Sequence, residues 1–468
     1  MRPIEVEGKW WLPSHPERQV VGTLTLSADE FTLDLRDHLV EPAPPKRGVV
    51  YAGFGEPITE PIILGQLRTG DQRRITLLES SGRRETFPGT VESEIWHPVA
   101  ALQGAHFMTE RALSFTAITT SFDYLRDWAT PPDVQHTMEM EEDRSRITVS
   151  AQGRQLDNAV VNAAELSLEL AHSYSLGGRR AELEQDVRFD IQLPSPIEWR
   201  AALSNWVNPL RDLLSFATTV PNRIEWVSLR YEPEAPNEWP WVTLLVRLVD
   251  FRRRQREERE LWAGDMLFPL AAVDGGLANL LPRWFELHRK LDAGVLQPFF
   301  SVDYAPFIWD ESRFLAVAQA AEVLHREVIG GTPLPKSTHR ARVRRVENRI
   351  DDRELREWAK DVLGQSNFLR LNDRLQSLVD QTPLGAEIVE RCPDFVASIV
   401  RTRNYLTHRS RKIRVLEGPA RYFHGEALRW LIRVTLMAEL GFTPAAAAEA
   451  FRQVDRFDAL LERLAAHA

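Results

Sequence analysis

One short segment of the chain combines residue types that could act on a phosphodiester. It runs RTRNYLTHRSRKIR from Arg401 to Arg414 and contains five arginines, one lysine and no acidic residue. The whole chain has a formal net charge of −9, so this segment is a local reversal of charge. Guanidinium groups bind phosphate oxygens in bidentate fashion, and a tyrosine can stack on a base. The residues predicted to bind RNA through the phosphates or the bases are Arg401, Tyr405, Arg409, Arg411 and Lys412.

Three side chains within the segment have the chemistry of a metal-independent ribonuclease. His408 is a proton carrier that could deprotonate a ribose 2′-hydroxyl or protonate the leaving 5′-oxygen. Arg403 would stabilise the charge on the phosphorane, and Asn404, a neutral donor and acceptor, would orient the reacting groups. A solvated basic helix end has the same composition, so the residue types alone leave both interpretations open.

The spacing of the pair adds a constraint on geometry. Arg403 and His408 are five residues apart, which places them about 140° apart around a straight helix. We therefore expect the helix to end or bend near His408. Both side chains could then line one cleft, especially a cleft between two symmetry-related chains.

Composition limits the kinds of protein that this chain can be. Its 468 residues, 43% of them hydrophobic, suit two or three domains with real cores. A pI of about 5.8 argues against a nonspecific nucleic-acid coat, so any RNA contact needs a local basic patch. The single cysteine, Cys392, allows no internal disulfide and no Cys-rich zinc site. No signal peptide and no membrane-spanning run is recognisable, so we expect a cytoplasmic protein.

The first part of the chain is predicted to be β-rich. Residues 20–26 and 31–35 alternate apolar and polar side chains as half-buried strands do. Further predicted strands are 74–78, 146–150, 165–170, 187–193 and 241–248. Residues 197–217 instead have apolar side chains at helical spacing. This pattern predicts a sandwich- or barrel-like domain with some helices.

The apolar pattern becomes helical near residue 310 and stays so to the end. Phe314, Val317, Ala321, Leu324 and Val328 form one helical stripe, and similar stripes follow. We predict an all-α bundle of five or six helices behind the β-rich region, an α+β chain overall. The predicted domains are 1–305, with one or two subdomains, and 306–468.

Other catalytic signatures do not occur in the sequence. There is no P-loop, HExxH, GxSxG or paired CxxC motif. No carboxylate cluster with metal-ligand spacing accompanies the basic segment. We therefore predict neither a metal nor an organic cofactor.

The arrangement resembles the HEPN superfamily of ribonucleases. The run Arg403-Asn404-Tyr405-Leu406-Thr407-His408 matches its signature of an arginine, a polar residue, a short spacer and a histidine on a helix of a small bundle. An upstream helix carries Glu322-Val323-Leu324-His325-Arg326, similar to the first helix of these domains. A long β-rich front half before such a bundle looks like the ApeA family of antiphage abortive-infection proteins. This resemblance would cover nearly the whole chain.

The resemblance implies both a site and a role. Arg403 and His408 would be the essential catalytic pair, Asn404 the polar residue between them, and Glu322 and His325 supporting residues. It implies a homodimer through the C-terminal bundle, whose two motifs face one cleft and cut RNA without metal. Transfer RNA would be the substrate, and its loss would shut down translation. Residues 1–305, which lack a catalytic constellation, would then act as a sensor of a phage-derived trigger.

Two other functions stay open at this point. A non-catalytic HEPN module that binds RNA or a nucleotide would share the basic segment but would not need His408. A dimeric adaptor protein would bind a partner through the β-rich domain, and the basic segment would be a surface feature. A metal-dependent nuclease fits least well.

Overall fold

The structure, a computed structural model, describes residues 4–27, 30–39, 57–70, 72–85, 93–131, 135–141, 144–177, 180–233, 238–246, 261–305, 307–408 and 414–467. The chain forms two compact units. The first unit is Met1–Ala263 with Phe268–Pro282, and the second unit is Gly264–Leu267 with Arg283–Ala468. The division after residue 305 and the subdomains before it stay predictions.

Six antiparallel strands close into a barrel in the first unit. They are β1 (Ile4–Trp11), β2 (Val20–Leu26), β3 (Phe31–Leu35), β4 (Pro57–Leu67), β5 (Arg74–Glu85) and β6 (Ser93–His97). Their order is β5-β4-β1-β2-β3-β6, and β6 pairs again with β5, with Gly82 opposite Trp96. Closure pairs backbone groups that an open sheet would leave at its edges. The predicted barrel-like fold is confirmed.

The barrel has a tightly packed apolar core. The alternation in β2 and β3 buries Leu24 and Leu33 completely. Trp10 is also fully buried, and its Nε1 donates a hydrogen bond to the carbonyl oxygen of Gly22 at 3.2 Å. Its ring lies against Gly65, where a Cβ atom would come within 2.2 Å of the ring. The indole therefore requires a glycine at that position.

The sheet continues from β5 beyond the barrel. The added strands are β7 (Ala100–Gln103), β8 (Phe115–Phe122), β11 (Arg154–Val161), β12 (Ala164–Gly177), β13 (Arg180–Ile197), β14 (Ile224–Arg230) and β15 (Trp241–Val246), and a separate hairpin consists of β9 (Gln135–Glu141) and β10 (Arg144–Ser150). The order from the barrel outward is β5-β7-β15-β14-β8-β13-β12-β11. Each strand predicted from the sequence falls within one of the strands β1 to β15. The exception is the end of the last one, because residues 247 and 248 lie outside the described part.

Helices are also present in the first unit, as predicted. They are α1 (Leu125–Ala129), α2 (Trp199–Ala202) and α3 (Asn208–Thr218). A π-helical turn, Leu203–Val207, joins α2 to α3, so residues 199–218 form one continuous helical segment. This segment corresponds to the helix predicted over 197–217.

The rest of the described chain is helical. The helices are α4 (Gly276–Leu291), α5 (Gln297–Tyr304), α6 (Asp310–Leu324), α7 (Lys336–Glu347), α8 (Arg353–Gly364), α9 (Leu371–Asp380), α10 (Pro383–Arg391), α11 (Phe395–His408), α12 (Gly418–Glu439), α13 (Pro444–Gln453) and α14 (Asp455–Ala466). Further π-helical turns are Asp292–Leu296 and His325–Ile329. None of the helices in the described residues is both long and apolar enough to cross a lipid bilayer.

The number of helices exceeds the five or six that were predicted. Nine helices, α6 to α14, are described between Asp310 and Ala466. Two breaks account for part of the difference. Thr382 accepts a hydrogen bond from the backbone N–H of Leu384 and caps α10, which separates it from α9. Val454, at φ −90° and ψ 101°, separates α13 from α14. Caps of this kind divide apolar stripes that look continuous in sequence.

A buried network of charges connects α5, α6 and α12 of the second unit. Arg313 Nη2 lies 2.5 Å from Glu426 Oε1, and Arg429 Nη1 lies 3.3 Å from the same oxygen. Arg429 also pairs with Asp303. Burial alone would raise the pKa of Glu426, but the Arg429 and Arg313 guanidinium groups lower it to about 2. The glutamate is therefore charged at neutral pH and compensates the buried Arg429 and the partly buried Arg313.

Replacing Glu426 by glutamine should destabilise the second unit strongly. The change leaves the buried Arg429 and the partly buried Arg313 without their shared counter-charge, and breaking a buried ion pair typically costs about 3–5 kcal/mol. Urea denaturation should show the loss, with Glu311→Gln as the control. Glu311 pairs with Arg421 at 2.8 Å but is half exposed, so its loss should cost about 1 kcal/mol or less.

The pH dependence gives this prediction a second check. Because the folded-state pKa of Glu426 lies below its ordinary value of 4.5, its stabilisation is fully present above pH 4.5. It is lost as pH falls toward about 2, and the difference between wild type and variant should shrink with it. Equal urea midpoints for Glu426→Gln and wild type at neutral pH would contradict this role.

Candidate active site

Helix α11 carries the segment that contains the predicted catalytic residues. It is fixed by a buried face made of Phe395, Val396, Ile399 and Thr402. The Thr402 hydroxyl donates to the carbonyl oxygen of Ser398 at 2.8 Å and accepts from the backbone N–H of Leu416 at 2.9 Å. The chain that follows the basic segment is thus bound back to α11. Arg403 and His408 are not part of the buried face.

Two of the predicted residues meet directly. Arg403 Nη2 lies 3.0 Å from Glu322 Oε2, which joins α11 to α6, and both side chains are about 30% exposed. Arg403 Nη1 also donates to Asn404 Oδ1 at 3.4 Å. The carboxylate holds one edge of a guanidinium that solvent still reaches. Arg403 therefore has a fixed position and donors left for an anion.

His325 lies three residues beyond Glu322, at the start of the π-helical turn. Its side chain is buried, and Nδ1 lies 3.4 Å from Arg374 Nη1 of α9. Nε2 has no hydrogen-bond partner among the described residues. Burial lowers the pKa of His325 below its usual value, and the Arg374 guanidinium lowers it further. A neutral imidazole is therefore favoured here. Such π-helical turns are frequent at functional sites.

Arg374 is a neighbour of this site that the sequence reasoning missed. It is 8% exposed, and its Nε donates to the carbonyl oxygen of Leu369 at 3.2 Å. The available signal was an arginine directly beside the apolar stripe Leu371, Leu375 and Leu378. A buried arginine needs an anion or several acceptors, so an arginine at this position indicates a polar partner inside the bundle.

His408 is not joined to Arg403 within one chain. It is the last residue of α11 and is exposed. It makes no hydrogen bond or ion pair with any described residue. Because α11 is helical through His408, the two side chains project about 140° apart around its axis. The helix was predicted to end or bend near His408, and α11 ends at that residue.

The predicted RNA-binding residues have different surroundings. Arg401 donates to Ser398 Oγ at 3.0 Å and lies 4.0 Å from Asp394. Tyr405 is half-buried. The remaining three, Arg409, Arg411 and Lys412, lie outside the described residues. In the described part of the chain, no group of three or more His, Cys, Asp or Glu side chains is placed to hold a metal ion.

The comparisons with known proteins cover most of the chain. Residues 5–284, more than half of the protein, match the family model for ApeA N-terminal domain 1. Residues 315–445 match the family model for the Apea-like HEPN domain, and this range runs from within α6 to the start of α13 and includes the site described above. No curated protein and no solved structure matches the chain significantly. The two matches in this order show that the chain belongs to the ApeA-like HEPN proteins.

Proposed function

We propose that this protein is a metal-independent endoribonuclease that acts in antiphage defence. The observation that carries the proposal is the Arg403–Glu322 pair, held at 3.0 Å inside a domain of the HEPN family. A fixed, partly exposed guanidinium stabilises the charge that develops on a phosphorane. Its family relatives make antiphage defence the context.

The residues of the candidate site have different roles in the proposed reaction. Arg403 binds a non-bridging phosphate oxygen, and Glu322 keeps the guanidinium oriented. His408 removes the proton from the ribose 2′-hydroxyl, or protonates the leaving 5′-oxygen. Asn404 orients the phosphate or the imidazole. The products are a 2′,3′-cyclic phosphate and a free 5′-hydroxyl. His325 and Arg374 hold the α6 side of the site in place.

The active species is a homodimer formed through the second unit. The basis is the separation of Arg403 from His408 around one helix axis, because a symmetric partner can supply the missing group. Light scattering should give about twice the chain mass of 53.6 kDa. A strict monomer at micromolar concentration would contradict the shared cleft.

Mixed dimers provide a sharper form of this prediction. If Arg403 of one chain acts with His408 of the other, a heterodimer of Arg403→Ala and His408→Ala chains keeps one complete pair. Co-purified chains that mix at random should then recover about a quarter of the wild-type rate, since half the dimers have one of two sites intact. No recovery above either single variant would contradict a site made of one Arg403 and one His408 from different chains.

The remaining parts of the proposal follow from the family. Transfer RNA in the cytoplasm is the proposed substrate, and its cleavage shuts down translation as abortive infection. The first unit, which matches the N-terminal domain of the family, is the proposed sensor of a phage-derived trigger. The test is to express wild type and His408→Ala in infected cells and sequence the RNA ends. New transfer RNA ends with wild type alone support the function. Identical ends in both cultures would contradict it and favour a binding module or an adaptor.

A further inference from the structure

Helix α7 carries a second strongly cationic surface that the proposed catalytic site does not use. Residues 336–349 contain six cations and a single acid, Glu347. Five of these cations lie on α7 and Arg349 follows two residues after it; we call the set of Lys336, Arg340, Arg342, Arg344, Arg345 and Arg349 the α7 cations. All six are exposed, and none forms a side-chain hydrogen bond or ion pair with a described residue.

The packing of α7 stabilises it little against the repulsion between these cations. It has no buried residue, and its half-buried positions, His339, Val343 and Glu347, are four residues apart along one face. Arg342 and Arg345 project away from that face, and Arg349 lies two residues after the end of the helix. Several of them are four residues apart, where like charges repel on a helix. Because no described acid forms an ion pair with them, their charge is open to an anion from outside the chain.

The position of α7 in the chain connects it to the candidate active site. The segment from α7 through α8 lies between His325 and Arg374, whose side chains are 3.4 Å apart. At its base, Asn367 Oδ1 accepts from the backbone N–H of Leu334 at 3.0 Å, and Asn367 Nδ2 donates to the Leu334 carbonyl oxygen at 2.9 Å. The α7–α8 hairpin therefore leaves from, and returns to, the α6 side of the site.

We propose that α7 binds the phosphate backbone of the RNA that the site cuts. This rests on the proposed function only for the identity of the polynucleotide. The 12 residues of α7 extend about 18 Å, which corresponds to about five phosphates of a stacked strand. The α7 cations thus hold RNA away from the scissile bond and lower its dissociation constant. They are binding residues and take no part in the chemical step.

The test is the salt dependence of RNA binding by the full chain. The variant is the triple change Arg342→Gln, Arg345→Gln and Arg349→Gln, made in the His408→Ala background so that labelled, unfractionated transfer RNA stays intact. Each lost phosphate contact lowers the slope of log affinity against log salt by about 0.7–0.9, so the slope should fall by about 2–3. If the two proteins bind equally at 1 M salt, the affinity of the variant at 0.1 M salt should be lower by about 100–500-fold.

A matched control removes the same charge elsewhere in the second unit. It changes Lys290, Arg452 and Arg463, which are exposed, to glutamine, and should leave both the slope and the affinity nearly unchanged. In an otherwise wild-type chain, the α7 triple variant should cleave the dinucleotide UpA at the wild-type rate, because a dinucleotide is too short to reach along α7.

The outcomes separate this inference from the proposed function. If wild type cleaves RNA but the α7 variant keeps the parent slope and affinity, the inference is wrong, and an acidic protein is the better partner for α7. If wild type fails to cleave while the α7 variant loses affinity and slope, the nuclease proposal fails and the RNA-binding surface stands. An equal loss in the control variant would also overturn the inference, since it would show only a general charge effect.

Discussion

Arg403→Ala should lower the single-turnover rate of RNA cleavage by about 10²–10³-fold, the usual cost of removing one preorganised donor to a developing charge. The structure gives the physical reason for so large an effect. Glu322 Oε2 holds the guanidinium at 3.0 Å while its other donors stay accessible, so little reorganisation is needed when the phosphorane forms. The measurement is the cleavage rate of labelled transfer RNA by purified protein at saturating enzyme.

Two further variants test whether the loss of rate comes from the two-pronged contact of Arg403 or from the loss of any arginine. Arg403→Lys keeps the charge but not the two-pronged contact, so it should recover only part of the rate. Arg391→Ala removes an exposed arginine from α10 and should leave the rate unchanged. Circular dichroism should show that all three variants fold, because Arg403 lies outside the buried face of α11. Full activity in Arg403→Ala would remove the electrostatic part of the mechanism.

His408→Ala should have an effect of similar or greater size, about 10²–10⁴-fold on the same rate, because it removes the group that transfers protons. His408 is exposed and has no hydrogen bond or ion pair with described residues, so its loss should not change folding or dimerisation. His467→Ala, which also removes an exposed histidine of the second unit, is the control. A comparable loss in both variants would indicate a nonspecific effect.

Much of the fold could be predicted from local pattern. Apolar alternation predicted β2 and β3 with the bounds that the structure has, because one face of each strand is buried in the barrel. Helical spacing predicted the segment that α2, the π-helical turn and α3 now form. Closure of the barrel could not be predicted in the same way. It depends on pairing such as Gly82 with Trp96, and periodicity does not specify which strand a strand pairs with.

Some residues of the candidate site could be predicted from the sequence, and others could not. Arg403, Glu322 and Asn404 could be selected from residue types and resemblance, and the structure brings these three together. Arg374 could not, because its contact with His325 joins residues 49 positions apart and depends on how α9 packs. The network around Glu426 was missed for a similar reason, since Asp303, Arg313 and Arg429 come from three helices. Spacing within one helix gives no information about such contacts.

The most direct test of the catalytic assignment is the chemistry of the RNA ends. Purified, dimeric wild type and His408→Ala are incubated with transfer RNA in excess EDTA, and the 3′ ends of the upstream fragments are analysed. Wild type is expected to cut RNA, to leave a 2′,3′-cyclic phosphate and not to cut DNA of the same sequence, which lacks the 2′-hydroxyl nucleophile. The variant should be slower by about 10²–10⁴-fold. Cleavage by His408→Ala at the wild-type rate, or a linear phosphate end with both proteins, would contradict it.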